Sequence, residues 1–156
     1  MTPKDPIFDI FLSLGSNIEP EKNIDFAKEQ LRIEYDKLLI SSIYKTKSVG
    51  FKGDDFLNLV IKASTSDSPE TVINYLHHIE RQTGRETGTG QFNPRTLDID
   101  LLLYGDLIDA SLNIPRDEIL KYDFVLEPLV EIFPEGMHPI ENRSYKDLFS
   151  RLKLPH

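Results

Sequence analysis

Apolar residues along the 156-residue chain change their spacing several times, and each change marks an element. Ile7 to Leu14 is mostly apolar and ends in Gly15-Ser16-Asn17, a turn signal, which predicts a strand. Pro20 and Glu21 suit a first helical turn. Ile24, Ala27 and Leu31 then recur at helical spacing, so the run from about 20 to 35 predicts an amphipathic helix. Leu38 to Lys47 alternates as a second strand, and Phe56 to Ser64 reads as a third, antiparallel to it. The segment between them, Ser48 to Asp55, holds two glycines and two aspartates and predicts a loop. Asp67-Ser68-Pro69-Glu70 opens a second helix with a capping residue and a first-turn proline. Val72, Leu76 and Ile79 give that helix its apolar stripe, and Gly84 ends it. Arg85 to Pro94 is a polar loop, Thr96 to Tyr104 a strand, and Gly105-Asp106 a turn. Beyond them the pattern predicts a short strand near Leu112 to Ile114, a helix around Val125 to Ile132 and a last helix near Tyr145 to Lys153.

The order βαββαβ predicts an α+β, ferredoxin-like domain: an antiparallel sheet with helices packed on one face, followed by a C-terminal extension. With no internal repeat and no low-complexity linker, residues 1–156 read as one domain. At 39% apolar and 28% charged residues the chain is too hydrophobic for general disorder. Its net charge of −8 offers no global basic field for nucleic acid, so a polyphosphate ligand would need a local cluster of arginine or metal. The absence of cysteine excludes disulfides and thiolate chemistry. No apolar signal core opens the chain, and no apolar run approaches the roughly 20 residues that span a bilayer. The expectation is a soluble, cytoplasmic protein without a membrane partner. No heptad seam is present, and a monomer is expected.

The richest run is Arg95-Thr96-Leu97-Asp98-Ile99-Asp100-Leu101-Leu102-Leu103-Tyr104-Gly105. Strand alternation puts Asp98 and Asp100 on one face and Leu97, Ile99, Leu101 and Leu103 on the other. Two carboxylates so close repel unless a cation sits between them, and magnesium accepts a few carboxylates together with water and phosphate oxygens. A solvated polar face is the competing reading. Arg85 and Arg95 bracket the polar loop before this strand. They suit polyphosphate through bidentate hydrogen bonding, or pair with surface acids. Phe56 and Asn58 share a strand face, and Phe124 begins a separate segment. Such residues can stack on and read a flat heterocycle, or the phenylalanines can be core. His77 and His78 lack the further ligands of a metal motif and are expected on an exposed helix side. Gly15-Ser16-Asn17 is not followed by Gly-Lys-Ser/Thr, which excludes a Walker loop.

Taken together, these segments resemble the 6-hydroxymethyl-7,8-dihydropterin pyrophosphokinase family. The likeness runs from Leu12-Ser13-Leu14-Gly15-Ser16-Asn17, through Ser42-Ile43-Tyr44-Lys45-Thr46, Phe56-Leu57-Asn58, Ile79-Glu80, Gly84-Arg85 and Pro94 to Asp100, to Phe124 through Ile132. It implies magnesium-dependent pyrophosphoryl transfer from ATP to 6-hydroxymethyl-7,8-dihydropterin in folate biosynthesis, giving AMP, with two magnesium ions on Asp98 and Asp100. It implies that Asn58, with the backbone near Thr46 and Val49, reads the pterin edge, that Phe56 and Phe124 sandwich the ring, and that Asp98 reaches the pterin. It places Glu80, Arg85, Phe92, Arg95, Leu101 and Ile114 around ATP, and Arg85, Arg95, Asp98 and Asp100 at the chemistry. The family's Trp-Gly-Pro-Arg is here Phe92-Asn93-Pro94-Arg95. A loop arginine is replaced by Thr87, a histidine after proline by Arg116, and an arginine by Tyr122. Arg116 would return charge to the ATP side. Loss of two donors would leave a slow enzyme. The alternative function is a pterin-binding paralogue that no longer turns over ATP.

Overall fold

The computed structural model describes residues 5–46, 55–83 and 97–153. Strand β1 (Phe8–Ser16) and helix α1 (Pro20–Tyr35) come first, then two short strands, β2 (Leu39–Ile40) and β3 (Tyr44–Thr46). Strand β4 (Phe56–Thr65), helix α2 (Pro69–Gln82) and strand β5 (Asp98–Tyr104) complete the βαββαβ unit. A 3-10 turn (Ala110–Leu112) and helices α3 (Glu118–Lys121), α4 (Asp123–Ile132) and α5 (Tyr145–Lys153) follow. The sheet order is β2-β4-β1-β5, with β3 also on β4, and these strand pairs are antiparallel. This is the α+β, ferredoxin-like arrangement, with its centre in β1 and β4.

Alternation in the two central strands generates two cores. Ile10, Leu12 and Leu14 of β1, with Leu57, Leu59 and Ile61 of β4, bury against Ile24 and Leu31 of α1 and Leu76 and Ile79 of α2. The opposite face, starting with Phe11, Val60 and Leu102, is covered by Val125, Leu126 and Leu129 of α4 and by Tyr145 of α5. Helices therefore lie on both faces, not one. The C-terminal extension is the lid of the second core, because a face carrying Phe11 and Val60 has to be covered.

Several boundaries differ from expectation for identifiable reasons. The first strand does not stop at Gly15; it runs to Ser16, and Gly15 pairs with Asn58 on one side and Asp98 on the other. The second strand is broken. At the break, Ser41 N donates to Val60 O and Val60 N donates to Ser41 Oγ, so a side chain replaces a ladder carbonyl. Leu103 does not share the face of Leu101. A register shift opposite Phe11 and Leu12 makes Leu102 an extra residue, so Leu102 and Leu103 both join the second core and Tyr104 returns to the first. The predicted short strand at Leu112 to Ile114 is the 3-10 turn, closed by an isolated bridge between Asp109 and Ile114. Helix α2 begins as expected: Ser68 Oγ accepts from Thr71 N at 3.2 Å and Pro69 sits at its first turn.

Candidate active site

Along the second sheet face the chemistry changes from one end to the other. Phe11, Val60 and Leu102 are apolar and lie in the core beneath the C-terminal helices. Beyond them the same face carries Ser13 and Gly15 of β1, Asn58 of β4, and Asp98 and Asp100 of β5, by strand parity. One row across four strands reads Tyr44, Asn58, Gly15, Asp98. Gly15 contributes no side chain, and the space it leaves is specific: a Cβ there would stand 3.1 Å from Asn58 Oδ1. A glycine inside a strand here marks open floor between an amide and a carboxylate.

A cavity of about 420 Å³ stands on this polar end. Thr46, Phe56 and Asn58 form one wall, and Asp98 and Asp100 another. Phe124 and Val125, at the start of α4, and Glu118 of α3 complete the enclosure. Asn58 Nδ2 donates to Thr46 Oγ1 at 2.8 Å, which fixes the amide's direction. Tyr122, at the position where the family carries an arginine, stacks its ring on Phe124 with centroids 5.0 Å apart. Pro128 inside α4 has no N–H, so the Phe124 carbonyl receives no helical bond from that position.

A smaller cavity of about 100 Å³ lies on the other side of Asp100. Leu101, Leu76 and Ile73 give it an apolar side, while His77 and Arg116 give it polar groups. Asp100 borders both spaces. The Arg116 guanidinium stands 3.5 Å from Asp100 and 2.7 Å from Glu118, to which its Nε also donates at 2.9 Å. Arg116 is thereby held over the partition between the two cavities, with its backbone N–H anchored on Leu102 O.

Of the residues expected at the site, the fold brings Thr46, Phe56, Asn58, Asp98, Asp100 and Phe124 onto one cavity. Leu101 and Arg116 reach the neighbouring one. Ile114 does not line either of these two spaces: it is 2% exposed in the first core, drawn in by its bridge to Asp109. Glu80 is buried at the end of α2, where its Oε2 accepts from Ile99 N at 2.9 Å and so caps the open edge of β5. Val49, Arg85, Phe92 and Arg95 lie outside the described residues. His77 and His78 are both exposed on α2, as expected. Sequence reading missed Ser13, Gly15 and Glu118. Gly15 alone left a signal, as a glycine inside an apolar strand pattern.

The two aspartates fit a hard cation by the chemistry of their donors, being anionic oxygens two residues apart on one strand face that opens on a cavity. Among the described residues, no group of three or more His, Cys, Asp or Glu is placed to hold a metal ion. A pair of carboxylates suits magnesium, which takes one or two carboxylates and completes its shell with water and phosphate.

The sequence profile of 7,8-dihydro-6-hydroxymethylpterin-pyrophosphokinase (HPPK) matches residues 11–134. This chain belongs to the HPPK family. A curated family member, the 2-amino-4-hydroxy-6-hydroxymethyldihydropteridine pyrophosphokinase of Aquifex aeolicus, is 36% identical over 146 residues, covering 88% of each chain. The protein of the same name from Porphyromonas gingivalis is 32% identical, covering 83% of this chain and 93% of its own. Among solved structures, wild-type Plasmodium falciparum HPPK-DHPS superposes on 96% of this chain with a TM-score of 0.74 at 12% identity, which speaks for the HPPK fold. This chain spans 42% of that longer protein. Among the described residues, no helix is long and apolar enough to cross a membrane.

Proposed function

We propose that this HPPK family member transfers the pyrophosphoryl group of ATP to 6-hydroxymethyl-7,8-dihydropterin in folate biosynthesis. The observation that carries the reading is the cavity that sets an amide, two aromatic rings and two carboxylates around one space, in a chain matching the family over residues 11–134. The pterin ring lies between Phe56 and Phe124. Asn58 and Thr46, with the backbone near Val49, meet its polar edge. The hydroxymethyl group then points along the floor over Gly15 toward Asp98 and Asp100.

ATP lies on the far side of Asp100, against Leu101 and Arg116. The family resemblance assigns Glu80, Arg85, Phe92 and Arg95 to the same ligand, while Ile114 stays in the first core. The hydroxymethyl oxygen forms a bond to the β-phosphorus while the bond from that phosphorus to the α-phosphate oxygen breaks, and AMP leaves. The hydroxyl proton passes to solvent water as the new bond forms. Asp98 and Asp100 would hold two magnesium ions, whose chemistry is to neutralise phosphate charge and hold the reacting oxygens in line. Arg116 adds positive charge where the departing AMP gains negative charge, a role the family resemblance also gives Arg85 and Arg95.

Within this proposal residues 1–156 act as one domain, and the expected form is a cytoplasmic monomer without a nucleic-acid or membrane partner. Family membership gives no support to the alternative of a non-catalytic pterin-binding module. Incubating purified protein with pterin, ATP and magnesium should produce AMP in proportion to enzyme. AMP at background even at high protein concentration would overturn the reading. Pterin binding with negligible ATP–magnesium binding in calorimetry would replace it with the module.

A further inference from the structure

The edge of the sheet beside the cavity is weakly built. Strand β2 has two residues and β3 has three, and among the described residues both pair with β4 alone. Strands this short have little stability of their own. Yet β3 carries Thr46, the partner that orients the Asn58 amide.

What holds this edge comes from α4. The Glu131 carboxylate accepts from Ser42 N at 3.0 Å through both oxygens, from Ser42 Oγ at 3.1 Å and from Tyr44 OH at 2.7 Å. Burial, and then this carboxylate, raises the Tyr44 pKa well above the usual phenol value, so the phenol keeps its proton and donates. Burial pulls the Glu131 carboxyl up, but the bonds from Tyr44 and Ser42 outweigh it and hold it below the usual carboxylate range. The contact is thus a charge-assisted O–H···O⁻ bond. Tyr44 stands opposite Asn58, two residues before Thr46, while Phe124 sits two helical turns before Glu131 on α4. One carboxylate therefore ties both sides of the cavity together.

We propose that Glu131 is a positioning residue for the pterin side of the site: by clamping Ser42 and Tyr44 it sets β3 against α4, and through Thr46 it fixes the Asn58 amide. The proposal rests on the functional reading above. An exposed carboxylate adds little to global stability. Its effect belongs in the geometry of the slot, and that separates it from a merely structural role.

The test uses full-length protein with Tyr44→Phe, Glu131→Gln and the double variant. Each single change should raise the pterin KM about tenfold and leave the ATP KM, kcat and melting temperature close to wild type. The double variant should be no worse than the weaker single, because the two changes break one contact. Hydrogen exchange over 42–46 should quicken in each variant, and the Asn58 side-chain amide resonances should move. An unchanged pterin KM in a protein that binds pterin would overturn the clamp, as would equal losses in both KM values together with a lower melting temperature. If wild type neither binds pterin nor makes AMP, the functional reading falls. The exchange and amide resonances then still judge the clamp: unchanged values in both variants would sink it.

Discussion

Asp98 and Asp100 share one strand face but not one neighbourhood. Asp100 has the Arg116 guanidinium at 3.5 Å and borders both cavities, whereas Asp98 lies across from Gly15. Adjacent carboxylates repel, so a change that removes one charge relieves that repulsion in the metal-free protein and, on the proposed reading, removes a magnesium ligand from the loaded one. Asp98→Asn should therefore melt at or slightly above the wild-type temperature without metal. Its ATP–magnesium binding and its turnover should fall about a hundredfold or more, as for loss of one preorganised charge partner, and its pterin binding should fall less. Calorimetry with each ligand, beside melting curves, reads both effects. Unfolding of Asp98→Asn, with normal nucleotide binding in the folded remainder, would make the pair structural.

At the scale of elements, β4 divides its labour along its length. Its first residues, Phe56 and Asn58, face the cavity, its middle residues serve both cores, and its last, Thr65, leads into the capped start of α2. The Ser68 cap lies at the end of β4 away from the site. Ser68→Ala should cost about 1 kcal/mol, a drop of roughly 3 °C in melting temperature for a chain of this size, and leave both KM values unchanged. A change in either KM would show that the end of β4 beside α2 communicates with the site. The elements that follow a local period, α1, β4, α2, α4 and α5, were legible in the sequence. The break between β2 and β3, the extra residue at Leu102 and the turn at Ala110–Leu112 were not. Each depends on a partner strand or bridge that a local period does not encode.

Across the whole molecule, stability rests on two cores on opposite faces of one sheet. The turn before α5 ties the second core down through His138, which is 2% exposed. Its Nδ1 accepts from Ile140 N at 3.2 Å and Glu141 N at 3.1 Å, an arrangement only the neutral ring can make. Burial lowers its pKa below the ordinary histidine value, against a smaller upward pull from the Glu141 carboxylate. The unfolded chain therefore takes up the proton first. Stability is complete above about pH 6.5 and declines as the pH falls through the lower folded value. His138→Asn keeps an acceptor without a titrating ring, so its melting temperature should vary less between pH 7 and 5 than that of wild type. Parallel curves for the two proteins would remove His138 from the account.

Residue order alone determined the βαββαβ succession, the amphipathic stripes of α1 and α2, and the shared face of Asp98 and Asp100. These follow from backbone periods that hold over a few neighbouring residues. The resemblance to a known family named Thr46, Asn58 and Phe124 in advance, but their spacing gave no physical reason for them to meet. Only the tertiary structure decided that Gly15 is open floor rather than a turn, that the C-terminal helices cover the second face and stop short of its polar end, and that Glu118 and Arg116 stand between two cavities. It alone brought Glu131 to Ser42, 89 positions away. The reason is physical: a strand's alternation says which residues share a face, but pairing register and helix packing select the far-off residues that stand above it.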